Sequence, residues 1–188
     1  MKGLKKVGLK KLAVVVGAVA VFAVVVPQAI AVLSQGADRG AKRAVTEQRA
    51  SLGAQRLVTA TESNATTTSS TAFVNLTSTI IRVPAGQTAR LVARFSAESQ
   101  CNGGAAGNWC SVRILVDGTE MQPQVGLDFA FDSVQSSNGF YQSHSMDRTS
   151  AVLSPGNHTV TVQRAVTSAS TVFRLDDYQL TVEEWRVS

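Results

Sequence analysis

From residue 72 to the end of the chain, apolar and polar side chains alternate in short runs, and no other feature restricts the fold as strongly. In residues 89–98 the odd positions hold Ala, Leu, Ala, Phe and Ala, whereas the even positions hold Arg, Val, Arg, Ser and Glu. Successive side chains of a β-strand point to opposite faces of its sheet. The run therefore predicts a strand with one face in a core and the other in solvent.

Turn sequences separate these runs. Residues 84–87 read PAGQ, residues 117–118 read DG, and residues 154–157 read SPGN. Proline, glycine and the Asp-Gly pair favour tight turns and two-residue hairpin connections. No convincing helical pattern interrupts the region, which excludes a parallel α/β fold. We predict an all-β domain over residues 72–188, an antiparallel β-sandwich or jelly roll of about nine or ten strands.

The N-terminal segment has a different character. Five lysines precede an unbroken apolar run over residues 12–26, and Pro27 and a small-residue stretch ending at Ala31 follow it. This order is typical of a signal peptide covering residues 1–31. The alternative is an uncleaved transmembrane anchor over residues 12–33, which is long enough for a hydrocarbon core of ~30 Å. Because the lysines come first, both interpretations predict an extracellular domain, either secreted or anchored to the surface.

Between these two parts lies a polar stretch, residues 32–71, which we predict to be a linker. Weak amphipathic spacing over residues 41–57 makes a short helix there a marginal possibility. Residues 59–71 read TATESNATTTSST. Such a composition buries too little apolar surface to offset chain entropy, so an extended spacer is expected.

The formal charge of +5 suggests a nucleic-acid partner only until its distribution is considered. Five of the 18 basic residues are the lysines of the first eleven positions, and the remaining 13 balance the 13 acidic residues. The rest of the chain is neutral, which argues against nucleic acid. No cofactor motif occurs. A membrane contact is expected only through the N-terminal segment, and the sequence leaves the oligomeric state undefined.

Cys101 and Cys110 are the two cysteines of the chain. In an exported protein, such a pair predicts a disulfide, here closing a loop of about ten residues. A metal site is the alternative, but His144 and His158 lie far off and lack ligand spacing. We therefore interpret the pair as structural.

Two aromatic residues and one arginine are candidate ligand-binding residues. Trp109 lies beside the predicted disulfide and a glycine-rich loop, residues 103–107, where an aromatic ring would project as a stacking platform. Tyr141 is another candidate platform. Arg113 is the candidate charged contact, since strand arginines line grooves for acidic ligands, although pairing with nearby acids is the competing interpretation.

Catalytic chemistry finds little support in the sequence. His144 lies in the run QSHSMD, but no GxSxG turn accompanies it, so a polar strand face is the favoured interpretation. Asp176 and Asp177 are weak candidates for calcium, against the commoner explanation of a turn. A glycoside hydrolase needs a pair of opposed carboxylates. The candidates are Glu120, Asp128, Asp132, Asp147, Asp176, Asp177, Glu183 and Glu184.

Two segments carry a resemblance to known proteins. Residues 153–162, LSPGNHTVTV, and residues 175–180, LDDYQL, resemble the closing strands of secreted jelly-roll modules of the carbohydrate-binding type, and more loosely those of C1q/TNF-like sandwiches. Residues 95–132, with the core WCSVRILVDG, resemble exported bacterial proteins. The resemblance implies a sandwich that binds a glycan, and it assigns no ligand residue by position.

These observations lead to three hypotheses. The first is a secreted or surface-tethered, non-enzymatic binding or structural module that recognises a glycan or another protein. The second is a small secreted glycoside hydrolase that uses paired carboxylates. The third is a self-assembling surface protein, for which an exposed apolar sheet face would be the sign.

Overall fold

The computed structural model describes the backbone of residues 44–49 and all atoms of residues 56–134 and 140–187. The predicted signal peptide, residues 1–31, and the alternative anchor, residues 12–33, lie outside the described residues. Within the described part, no helix has both the length and the apolar character needed to cross a membrane. A single 3₁₀ turn, Gly126–Asp128, accompanies the strands there.

Eleven strands make up the described part. They are β1 (Ala44–Arg49), β2 (Arg56–Glu62), β3 (Thr66–Thr68), β4 (Val74–Val83), β5 (Thr88–Asn102), β6 (Trp109–Val116), β7 (Thr119–Glu120), β8 (Asp132–Ser133), β9 (Gln142–Thr149), β10 (Gly156–Val166) and β11 (Val172–Val187).

The strands form two antiparallel sheets. The first sheet has the order β1-β2-β11-β5-β9, with β3 also paired to β11, and the second has the order β4-β10-β6-β7, with β8 paired to β6. From β4 onward, successive long strands alternate between the two sheets. This connectivity is that of a jelly roll, and it confirms the predicted fold class.

The inward faces of the two sheets meet in one apolar core. Leu91, Phe95 and Phe173 of the first sheet and Ile114 of the second are fully buried. Phe131, from the segment before β8, packs against Phe95 with ring centroids 5.8 Å apart. Each such side chain contributes about 1.5–3 kcal/mol by leaving water. The alternation seen in residues 89–98 is therefore the inward and outward alternation of β5.

Two predicted local features are confirmed. Cys101 at the end of β5 and Cys110 in β6 form a disulfide with an S–S distance of 2.03 Å, which joins the first sheet to the second. Asp117 and Gly118 both adopt positive φ, 49° and 81°, as a two-residue hairpin turn requires. They connect β6 to β7.

The predicted linker boundary at residue 72 is wrong. β2 and β3 lie inside the predicted linker, and both pair with β11 along the same side of that strand. Val58 and Ala60 of β2 are buried. The short helix considered as a marginal possibility over residues 41–57 is not seen where the structure describes that range, since Ala44–Arg49 form β1 and β2 begins at Arg56.

A buried cation explains why the threonine tract is ordered. The Arg164 guanidinium lies between the sheets and donates hydrogen bonds to the Thr66 carbonyl, the Thr66 hydroxyl and the Thr67 carbonyl, at 2.9, 2.8 and 3.0 Å. Composition alone suggested a solvated spacer. It could not reveal these hydrogen bonds, because Arg164 lies about 100 positions further along the chain.

Candidate functional site

The outer face of the first sheet carries a shallow polar groove. It is formed by two adjoining depressions of about 470 and 250 Å³ over β5, β9 and β11. Their polar lining residues are Arg94, Ser96, Glu98, Ser143, His144, Ser145, Asp147, Asp177, Gln179 and Thr181.

Strand register explains why a depression forms there. Ser96 of β5 pairs with Ser145 on one side and with Gln179 on the other, so two short serine side chains lie in the middle of the groove. The pairing of β11 with β5 is interrupted between Asp176 and Gln179. Asp177 within this bulge has a φ of 43°. A bulge bends its strand and increases the local twist, and both deform an otherwise flat face.

The charges of this face are mostly paired. Arg94 bonds the carboxylate of Glu183 and lies 3.8 Å from that of Asp147. Arg174 lies 3.5 Å from the carboxylate of Asp176. One arginine lines the groove, against the three carboxylates of Asp147, Glu98 and Asp177. The groove is therefore hydroxyl-rich and mildly acidic.

Exposed aromatic rings lie on the same face on both sides of the groove. Tyr141 is 41% exposed, and the Arg174 guanidinium lies 5.4 Å from its ring centroid. Trp185 is 44% exposed and pairs with Arg90 of β5, and its indole N–H donates to Glu183 at 3.1 Å. Ser96 lies six positions after Arg90, or roughly 20 Å along β5.

Of the predicted ligand residues, only Tyr141 lies at this face. Trp109 lies on β6 in the second sheet, and its indole N–H donates to the Leu127 carbonyl at 2.7 Å. Arg113 lies on the same strand, with its guanidinium 4.0 Å from the Phe73 ring centroid. The structure therefore does not bring the three together. Trp109 and Arg113 hold neighbouring segments in place.

His144 does meet a serine and an aspartate, but not the neighbours that its sequence suggested. Its Nδ1 lies 2.8 Å from the Ser99 hydroxyl, which donates to the Asp132 carboxylate at 2.8 Å. Ser99 is fully buried. In a nucleophilic triad the imidazole is central and the hydroxyl is accessible to substrate. Here the hydroxyl is central, so the arrangement lacks that geometry.

Of the candidate carboxylates, Asp147 and Glu183 both lie beside Arg94 on the outer face of the first sheet. Burial raises the pKa of Glu184, although Arg56 and Arg186 act in the opposite direction. Glu184 is fully buried between the sheets, away from the groove. A raised pKa at that position reflects the core rather than a cleft.

The weak calcium candidates are Asp176 and Asp177. The Asp176 carboxylate accepts the backbone N–H of Asp177 at 3.1 Å and lies beside Arg174. Among the described residues, no group of three or more His, Cys, Asp or Glu side chains could hold a metal ion. We therefore interpret Asp176 and Asp177 as parts of the bulge in β11.

The second histidine fastens one end of the second sheet. His158 Nδ1 lies 2.7 Å from the Asp117 carboxylate, and Nε2 lies 2.9 Å from the Ser154 carbonyl. Both nitrogens face acceptors, so the protonated ring satisfies both contacts. Burial alone lowers the pKa of His158, but the bonds to Asp117 and Ser154 outweigh it and raise the pKa.

Sequence reasoning missed most of the groove. The alternation in residues 89–98 placed Arg94, Ser96 and Glu98 on an outward face, but Ser96, Ser145 and Gln179 carry no motif, and nothing in the sequence placed these three side by side. No known family model matches the chain, and comparison with curated proteins finds no significantly similar sequence.

Proposed function

We propose that this protein is a non-enzymatic, extracellular binding module that recognises a neutral glycan through the groove on its first sheet. The observation that carries the proposal is the groove itself, with hydroxyl and amide side chains at its centre and exposed Tyr141 and Trp185 on either side. Sugars present hydroxyls to polar groups and C–H faces to aromatic rings, and this face offers both kinds of contact.

Charge supports a neutral ligand over an acidic one. The lining carboxylates outnumber the single arginine, and that arginine is engaged by Glu183. An acidic sugar would therefore meet net repulsion. The extracellular location is supported by the order of the N-terminal residues and by the disulfide between Cys101 and Cys110.

The test is a glycan array followed by calorimetry with the full-length chain and three variants. Tyr141→Ala and Trp185→Ala are expected to weaken binding about 10-fold each, from lost stacking. Ile80→Ala is the matched control, because Ile80 is an exposed apolar residue of the second sheet, and it should bind as the parent does.

Three results would count against the proposal. Binding that survives both aromatic substitutions would place the ligand elsewhere. A ligand found only among proteins would favour the protein-recognition alternative. Turnover of a polysaccharide would favour the hydrolase.

A further inference from the structure

The two depressions of the groove lie in line along β5. One is lined by Arg94 and Ser96 and the other by Ser96 and Glu98, so the two meet at Ser96. Both are bordered by residues of β9 on one side and of β11 on the other. The long axis of the groove therefore follows the strands rather than crossing them.

The two exposed aromatic residues continue this line beyond both ends of the groove. Trp185 pairs with Arg90 near the start of β5. The Arg174 guanidinium lies 5.4 Å from the Tyr141 ring centroid, and Arg174 pairs with Gln100 near the end of β5. Gln100 lies ten positions after Arg90, which corresponds to roughly 30 Å along the strand. The two rings thus mark the ends of a long path across one face.

The same sheet face connects the groove to each ring. β5 is a single strand, Thr88–Asn102, and its odd-numbered residues from 89 to 101 are buried while the even-numbered ones face outward. Val92 is the outward residue between Arg90 and the groove, and Gln100 is the one beyond its other end. Both are half-buried, so neither forms a wall across the path. A ligand can therefore extend past the groove in both directions.

The length and openness of the path select the form of the ligand. A monosaccharide or disaccharide in the groove is too short to contact both rings, so it gains at most one of the two stacking interactions. Recognition of a chain end would need a pocket that encloses the terminal sugar. The groove is shallow and bordered on its two long sides, which suits the interior of a chain.

We propose that the groove binds an internal stretch of a linear, neutral polysaccharide that runs parallel to β5, with Trp185 and Tyr141 as stacking platforms for sugar units several positions apart. This inference rests on the proposed function and goes further by fixing the length, direction and continuity of the ligand.

The first experiment measures how affinity depends on chain length. Calorimetry uses the full-length protein and oligosaccharides from disaccharide to octasaccharide. The series are β-linked glucose, mannose and xylose, together with that of any other glycan bound on the array. Affinity should rise about 100-fold from trisaccharide to octasaccharide, because two stacking contacts of about 10-fold each are added. An affinity that stays constant beyond the disaccharide would overturn the inference.

The two aromatic variants test whether one chain reaches both rings. Tyr141→Ala and Trp185→Ala should each weaken octasaccharide binding about 10-fold, whereas at most one of them should weaken trisaccharide binding. Ile80→Ala, on the second sheet, is the control and should leave both affinities unchanged. Octasaccharide binding that depends on only one of the two rings would contradict a chain running along the whole path.

A third measurement separates the interior of a chain from its ends. An octasaccharide blocked by methylation at both ends should bind as tightly as the unmodified one, and a large loss on blocking would mean that a chain end is recognised. Failure of these tests with a glycan that does bind the groove would remove this inference and leave the proposed function intact. An array without any bound glycan would remove both.

Discussion

At the scale of single residues, the two histidines make different contacts, since His144 lies on β9 of the first sheet beside Ser99 and His158 lies on β10 of the second beside Asp117. His158 has both nitrogens engaged, by Asp117 and by the Ser154 carbonyl, and it ties the hairpin turn to the start of β10. Asp117 also accepts the backbone N–H of Thr159 at 2.8 Å. Partial burial alone raises the pKa of Asp117, but these bonds outweigh it and lower the pKa.

The pH dependence of this pair follows from the two directions. The raised pKa of His158 means that its contribution is complete below the unfolded value of 6.5 and is lost as pH rises through the folded value. The lowered pKa of Asp117 means that its contribution is present above 3.8 and is lost as pH falls through the folded value. The His158–Asp117 pair, called the clasp below, therefore stabilises the fold most in mildly acidic solution.

Asp117→Asn tests the clasp, because asparagine still tolerates positive φ. We expect a loss of about 1 kcal/mol in unfolding free energy at pH 6, reduced from the value for a buried charged bond because Asp117 is half exposed. At pH 9 the loss should be smaller, since the ring is then mostly neutral. Urea unfolding at both pH values, with Asp128→Asn as control, measures this. Equal losses at pH 6 and pH 9 would contradict the expectation.

Glu184 is a second residue with a pH signature. Both carboxylate oxygens are buried without a hydrogen-bond partner. Because its pKa is raised, the folded state loses stability as pH increases from 4.5 through the folded value. The charged form therefore weakens the fold at neutral pH.

Glu184→Gln should raise the unfolding free energy at pH 7.5 by about 1 kcal/mol, because the buried charge is removed. Near pH 4 the gain should vanish, since glutamate is then protonated in both states. Chemical denaturation at the two pH values distinguishes these cases, and Glu98→Gln at an exposed site provides the comparison. Destabilisation at pH 7.5 would mean that a cation holds the Glu184 carboxylate.

At the scale of elements, the disulfide joins the ends of the long strand β5 and of β6 across a glycine-rich loop. Gly103 and Gly104 both have positive φ, and a side chain would collide with Ser170 at the first position and with Asn108 and residues 170–171 at the second. The loop therefore needs glycine both for its conformation and for its approach to the turn before β11.

Replacing Cys101 and Cys110 together by alanine is expected to lower the unfolding free energy by about 2–3 kcal/mol, because the unfolded chain is released from a short closed loop. Thermal unfolding with and without a reducing agent measures the effect. The parent should lose stability on reduction, and the double variant should not respond. A parent indifferent to reduction would argue that the bond contributes little.

Arg164 is a second tie between the sheets near the disulfide, since its partner in β6, Val112, is two residues from Cys110. A lysine at this position cannot reach all three acceptors on β3, so Arg164→Lys should reduce the unfolding free energy by about 2–3 kcal/mol. Hydrogen–deuterium exchange should also become faster in residues 66–68. Arg82→Lys, at an exposed arginine, is the control. Unchanged exchange in β3 would show that strand pairing with β11 alone holds it.

At the scale of the whole molecule, the domain needs strands that precede the predicted boundary. β11 is paired along most of its length by β5 on one side and by β2 and β3 on the other. Without β2 the core loses Val58 and Ala60, and β11 becomes an unpaired edge.

A chain beginning at residue 72 should therefore fail to fold cooperatively, whereas one beginning at residue 40 should fold. Circular dichroism and thermal melting of the two proteins decide the matter. A sharp transition in the shorter chain would mean that β2 and β3 are dispensable, contrary to their place in the sheet.

The sequence by itself determined the class of fold. Period-two alternation in residues 89–98, the Asp-Gly turn at 117–118 and the pair of cysteines each act over short distances along the chain, so their consequences are visible without a structure. These features predicted an antiparallel β-sandwich or jelly roll with one disulfide, and the structure confirms both.

Only the tertiary structure decided where a ligand would bind and which residues belong to the domain. The sequence predicted Trp109 to be an exposed stacking platform, but its indole N–H donates to the Leu127 carbonyl. The sequence also predicted residues 59–71 to be a spacer, but Arg164 donates a hydrogen bond to Thr66 within them. The groove depends on the register that places Ser96 beside Ser145 and Gln179. Such contacts join residues tens of positions apart, and local patterns along the chain carry no information about them.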